Sequence, residues 1–105
     1  MNRYSVWQLT IVSALLVAGP AVAGGDVEAG QAKASTCAGC HGVNGEGMAE
    51  NPPISGLDSE AFVSAMQSYK SGENPEPMMG MIMQTLSDED IVNLAAYYAS
   101  LSTAE

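Results

Sequence analysis

Every cysteine of this chain and its only histidine lie in one pentapeptide, Cys37-Ala38-Gly39-Cys40-His41. That concentration excludes most of what these residues do elsewhere. A structural zinc site takes four N or S ligands, and two thiols with one imidazole fall one short. A disulfide between Cys37 and Cys40 would close so small a loop that it would constrain the unfolded chain very little. A thioredoxin-like C-x-x-C pair belongs in a βαβ context, and no segment of alternating strand type stands out here. The surrounding chain is also short of core material. Residues Met1 to Ala23 read as a secretory signal: Arg3 gives the positive start, Val6 to Ala18 is mostly apolar, Gly19-Pro20 breaks the helix, and Ala21-Val22-Ala23 fits the A-x-A cleavage rule. Gln8, Thr10 and Ser13 interrupt the apolar run, which falls short of the ~20 residues of a stable membrane span. Cleavage after Ala23 leaves residues 24–105, with one Phe, three Tyr and no Trp. An apolar core in a domain of this size supplies only ~3–5 kcal/mol and usually needs a staple. Something besides side chains is expected to fill its centre.

The pentapeptide itself names that filler, because C-x-x-C-H is the attachment sequence of c-type haem. The thiols of Cys37 and Cys40 add across the two vinyl groups, and the adjacent His41 reaches the iron from the same side. Iron held by one histidine needs its other axial position filled if it is to carry electrons, and a thioether both fills it and raises the potential. Met78, Met79, Met81 and Met83 follow Pro75 and Pro77 closely, so one of this cluster is the expected ligand and the others line the pocket. Methionines are otherwise flexible core fillers, the role expected of Met66. Clustered thioethers also suit Cu(I), but a copper-handling role does not account for the C-x-x-C-H. A haem peroxidase needs an open distal site, which the cluster argues against.

Charge and periodicity bound the rest. Three Lys+Arg against 12 Asp+Glu give a net charge of −9. Nucleic acid is therefore not an expected partner, since phosphate recognition needs clustered basic residues. Three helices are readable. The first runs from Asp26, its N-cap, to about Cys37, with Gly30 and Ala34 one turn apart so that another helix can approach closely. The second runs from Ser59 to Ser71 behind Asp58, with Phe62, Met66 and Tyr69 on one face and Gly72 as C-cap. The third opens on a capping-box-like Ser87-Asp88-Glu89-Asp90 and carries Ile91, Leu94, Ala95, Tyr98 and Leu101 on one face. Breaker-rich loops over Gly39 to Gly56 and Gly72 to Pro77 separate them. The expected fold is all-α.

The stretches Gly30-Gln31-Ala32-Lys33 through Cys40-His41-Gly42, Tyr69-Lys70-Ser71-Gly72-Glu73, Leu86-Ser87-Asp88-Glu89-Asp90 and Ala95-Ala96-Tyr97-Tyr98-Ala99-Ser100 together resemble small bacterial class I cytochromes c. The likeness is to the domains of periplasmic di-haem cytochromes and to the haem-bearing subunit of flavocytochrome c sulfide dehydrogenase, and it covers essentially all of residues 24–105. It implies the class I cytochrome c fold, three main helices with long loops wrapped around one covalently attached haem c. It implies Met79 as distal ligand, seven positions before Leu86, with Met78 and Met81 as alternatives. It implies that the Pro52 carbonyl, or failing that Pro53, accepts the Nδ1 proton of the proximal histidine. It also implies a crossing of the first and last helices at Gly30 and Ala34 against Leu94 and Tyr97. One haem motif stands here where the di-haem relatives have two. The expected role is a periplasmic carrier of single electrons between redox proteins. The alternative is the haem subunit of a sulfide dehydrogenase, taking electrons from a partner flavoprotein.

Overall fold

The computed structural model describes residues 24–101, which form five helices: α1 (Val27–Lys33), α2 (Ser35–His41), α3 (Ser59–Ser71), α4 (Pro77–Met83) and α5 (Asp88–Ser100). Among the described residues there is no strand, only an isolated antiparallel bridge between Met48 and Asn51. The signal segment expected over residues 1–23 lies outside the described residues.

Two of the five helices come from subdividing and extending the first expected one. Ala34 keeps helical angles, φ −66° and ψ −16°, but its N–H donates to Gln31 O at 3.1 Å and its carbonyl accepts from Cys37 N–H at 2.8 Å. Both bonds span three residues, so the helix tightens there into a 3₁₀ step before α2 continues, with Ala38 N–H also donating to Ala34 O at 2.9 Å. No glycine or proline marks the join. Gly39 does not end α2, which runs on to His41 and stops at Gly42, whose φ of 99° suits a residue without Cβ. The whole pentapeptide is therefore helical, where the sequence suggested that a loop began at Gly39.

The fifth helix, α4, arises where no helix was expected. Pro77 occupies its first position, where a missing N–H costs nothing, and the Glu76 carboxylate accepts from Met79 N–H at 2.9 Å. One carboxylate thus caps the helix that carries the methionines.

Helix α5 is the hub. Its capping box is complete, with Ser87 Oγ accepting from Asp90 N–H and the Asp90 carboxylate accepting from Ser87 N–H, both at 3.0 Å. Ile91, Leu94, Ala95 and Tyr98 are buried along it and pack with Phe62 and Met66 of α3, Met83 of α4 and Leu86. Against its other side lies α1. A Cβ placed on Gly30 would stand 2.1 Å from Asn93 O and 2.8 Å from Tyr97 Cβ, so the two backbones touch. Asp26 N–H also donates to Asn93 Oδ1 at 2.8 Å. Helices α3 and α4 are tied by Gln84 Nε2, which donates to Lys70 O at 2.9 Å, while Lys70 Nζ donates to Leu86 O at 2.6 Å.

Candidate haem site

A cavity of about 410 Å³ opens between these elements, within the range of small-molecule and cofactor sites. Helix α2 contributes Cys37, Cys40 and His41 to its wall, the following loop Pro52 and Ile54, α3 Phe62 and Met66, and α4 Met79, Ile82 and Met83. All five residues singled out for the site, Cys37, Cys40, His41, Pro52 and Met79, line this one space. Neither cysteine is in a disulfide.

His41 is buried, at 8% exposure, and its Nδ1 lies 2.7 Å from the carbonyl of Pro52. A carbonyl can only accept, so Nδ1 carries the proton and the lone pair stands on Nε2. The loop that delivers Pro52 is held to α2 at several points. Gly47 N–H donates to His41 O at 2.6 Å, and Asn51 Nδ2 donates to Cys40 O at 2.9 Å. The N–H groups of Ile54 and Ser55 both donate to Gly45 O, at 2.8 and 3.0 Å. Gly45 has φ 71°, and a Cβ there would lie 2.7 Å from Tyr98 Cε1, so the loop backbone lies directly against the tyrosine ring.

The methionines separate by exposure. Met79 is half-buried, packs against the core and lines the cavity, with its N–H held by Glu76. Met83 lines it from inside at 1% exposure, and Met78 from the mouth at 59%. Met81 is 61% exposed and is not part of the wall.

The sequence reading placed Tyr98 on the apolar face of the last helix and missed its second role. Its side chain is fully buried, yet its hydroxyl has no hydrogen-bond partner. Cys37 packs against the buried cluster that holds Tyr98, and the two groups perturb each other without forming a hydrogen bond of good geometry. Burial pushes the Cys37 thiol up, and the Tyr98 hydroxyl partly opposes this. Burial, with Cys37 beside it, pushes the Tyr98 phenol well above its ordinary value. The only sequence sign was a polar atom on an otherwise apolar stripe.

Two free thiols, an imidazole with its lone pair on Nε2, thioether sulfur on another wall and a mainly apolar lining, with Thr36, Glu50, Asn51 and Glu76 as its polar members, form a donor set that fits an iron porphyrin. In an all-helical shell they define a small c-type haem protein. The family model for cytochrome c matches residues 27–102, and the chain belongs to the cytochrome c family, whose haem c is covalently bound. It is 39% identical over 101 residues to cytochrome c4 of Pseudomonas aeruginosa, covering 95% of this chain and 49% of that one. Cytochrome c-554(548) of Halomonas halodenitrificans is 39% identical over 80 residues, covering 72% of this chain and 96% of its own length. The cytochrome subunit of sulfide dehydrogenase from Chlorobaculum tepidum is 32% identical over 73 residues, covering 70% and 66%. The crystal structure of reduced recombinant cytochrome c4 from Pseudomonas stutzeri superposes with a TM-score of 0.65 at 34% identity, covering 73% of this chain and 46% of that one. The chain thus spans about half the length of the cytochromes c4 it matches.

Proposed function

We propose that this is a monohaem electron carrier whose iron is held by His41 and Met79, exported to the periplasm after cleavage behind Ala23. Cys37 and Cys40 would hold the haem, each thiol adding its sulfur to one vinyl carbon and its proton to the other, a balanced addition with no net electron loss. When bound, the haem supplies the one-electron cycle between ferrous and ferric iron. The chain's own residues fix how that cycle runs. Pro52 holds the Nδ1 proton of His41 and so the orientation of its ring, an outer contact of the kind that tunes a metal. Glu76, by capping α4, holds the backbone of Met79. Ile54, Phe62, Met66 and Leu94 keep water from the site. The observation that carries this reading is the convergence of the only cysteines, the only histidine and Met66, Met79 and Met83 on one mainly apolar cavity.

The test is direct. Denatured, acid-acetone-washed protein is expected to keep its colour and to have the mass of residues 24–105 plus one haem. The native ferric form is expected to show a sulfur-to-iron charge-transfer band. Colourless material with the mass of bare polypeptide would overturn the reading. The partners are other redox proteins, and a net charge of −9, with Lys33 paired to Asp90 and Lys70 to Asp88, favours a partner with a locally basic docking face. Association is then expected to slow as ionic strength rises, because screening shortens to ~8 Å at physiological salt; a salt-independent rate measured by stopped flow removes the steering.

Likeness to the Chlorobaculum tepidum cytochrome subunit of sulfide dehydrogenase favours one second reading, in which the partner is a flavoprotein that oxidises sulfide and passes its electrons here. Purification under native conditions separates the two. A stable flavin-containing complex supports the subunit, and a free small haem protein supports the carrier.

A further inference from the structure

Among the described residues, the Tyr98 hydroxyl is the one buried side-chain N or O without a hydrogen-bond partner. Leaving such a group unsatisfied costs about 1–3 kcal/mol, which a phenylalanine of the same shape would avoid. The ring has no route out to water. It stacks on Phe62 with centroids 5.9 Å apart, meets Tyr97 edge-on at 5.0 Å, and is covered by the Gly45 backbone. Its oxygen therefore stays where it is, and Cys37 packs against the same buried cluster, with its sulfur beside that oxygen.

In the free thiol that sulfur carries a proton of its own. As a thioether it has none and can only accept. We propose that Tyr98 donates its hydroxyl proton to the Cys37 sulfur of the attached haem, and that this O–H···S bond raises the reduction potential. This rests on the reading that Cys37 carries the haem. A donor on the sulfur draws electron density from the edge of the macrocycle, which favours the reduced iron, and hydrogen bonding around the haem is one of the levers by which a protein sets its potential. Tyr98 touches no iron ligand in this scheme. It is a positioning residue acting through Cys37.

The experiment uses the haem-loaded protein, fully exchanged into D₂O by unfolding and refolding. Resonance Raman is expected to show an isotope shift in the carbon–sulfur stretch of the wild type, absent in Tyr98→Phe. Voltammetry is expected to show that Tyr98→Phe lowers the equilibrium constant for reduction by about two- to tenfold, one modest hydrogen bond. That loss is expected to vanish in a Cys37→Ala background, where Cys40 alone holds the haem. An isotope-insensitive band in the wild type overturns the proposal even if neither variant can be prepared. An equal loss in both backgrounds also overturns it, because the hydroxyl then acts through something other than Cys37. The mass of the denatured wild type tells the two failures apart: without added haem the functional reading falls first, and with haem present only the tyrosine's role does.

Discussion

The imidazole of His41 can bind iron through Nε2 only if its other nitrogen keeps the proton, and the Pro52 carbonyl 2.7 Å away holds it there. In the proposed ligation the second iron ligand would be one of the neighbouring methionines, and these differ in exposure. Met81 faces solvent, Met78 is largely exposed at the mouth, and Met79 is half-buried against the core with its backbone capped by Glu76. Met79→Ala is therefore expected to abolish the sulfur-to-iron charge-transfer band and lower the potential while leaving one covalent haem, since loss of a thioether ligand acts on the iron and not on attachment. Met78→Ala is expected to leave the band intact. A spectrum unchanged in Met79→Ala and lost in Met78→Ala would move the ligand by one residue. At this scale the sequence was legible where chemistry demands a residue type at a fixed spacing, as in Cys37-Ala38-Gly39-Cys40-His41. It was silent on Tyr98, because nothing in a helical stripe says whether a phenol finds a partner.

At the scale of elements, α1 and α5 meet so closely that Gly30 admits no side chain. Alanine is favoured over glycine inside a helix by about 1 kcal/mol, so Gly30→Ala would stabilise an isolated helix. Here the added Cβ would stand 2.1 Å from a backbone oxygen, and overpacking against backbone costs about 1–3 kcal/mol. The crossing decides the sign: urea unfolding of the haem-loaded variant is expected to show net destabilisation, and an unchanged or raised midpoint would mean that the helices can part cheaply. The start of α5 adds a pH dependence. The Asp90 carboxyl is held below the usual carboxylate range, first by its bond from the Ser87 backbone and less by Lys33, and Asp88 is lowered by Gln67 and Lys70. A folded-state value below the unfolded one gives stability that is present above the unfolded value and lost as pH falls through the folded one. Asp90→Asn is expected to flatten the acid limb of a stability-against-pH curve, and a limb of unchanged steepness would show that the capping box carries none of it. Helices α3 and α5 were legible because cap and stripe agreed in each, with Gly72 marking the stop of α3 as well. Helix α4 was not, because Pro75 and Pro77 read as breakers and its cap is a glutamate, which is not among the stronger cap formers. The step at Ala34 left no mark in the sequence at all, since only a change in hydrogen-bond span makes it.

For the molecule as a whole, the question is what the cavity costs if its occupant is removed. Buried cavities destabilise by about 24 cal/mol per Å³, so about 410 Å³ amounts to roughly 10 kcal/mol. Even if solvent at the open mouth halves that figure, it matches or exceeds the ~3–5 kcal/mol that an apolar core supplies at this size. The walls are not spare surface either, since Phe62, Met66, Met83 and Leu94 belong both to the cavity and to the buried core. A chain that cannot attach haem must therefore unfold or let these helices collapse together, and collapse is opposed by the Gly30 crossing and by the loop fixed from His41 to Ser55. Replacing both Cys37 and Cys40 by Ala is expected to leave a chain with weak helical circular dichroism and no cooperative urea transition. Added haem that binds without a covalent link should recover part of the helix signal, by mass action on the folded state. A doubly substituted chain that unfolds cooperatively with no haem present would mean that the side chains alone close the core, and the prosthetic group would then be cargo of this fold and not part of its structure.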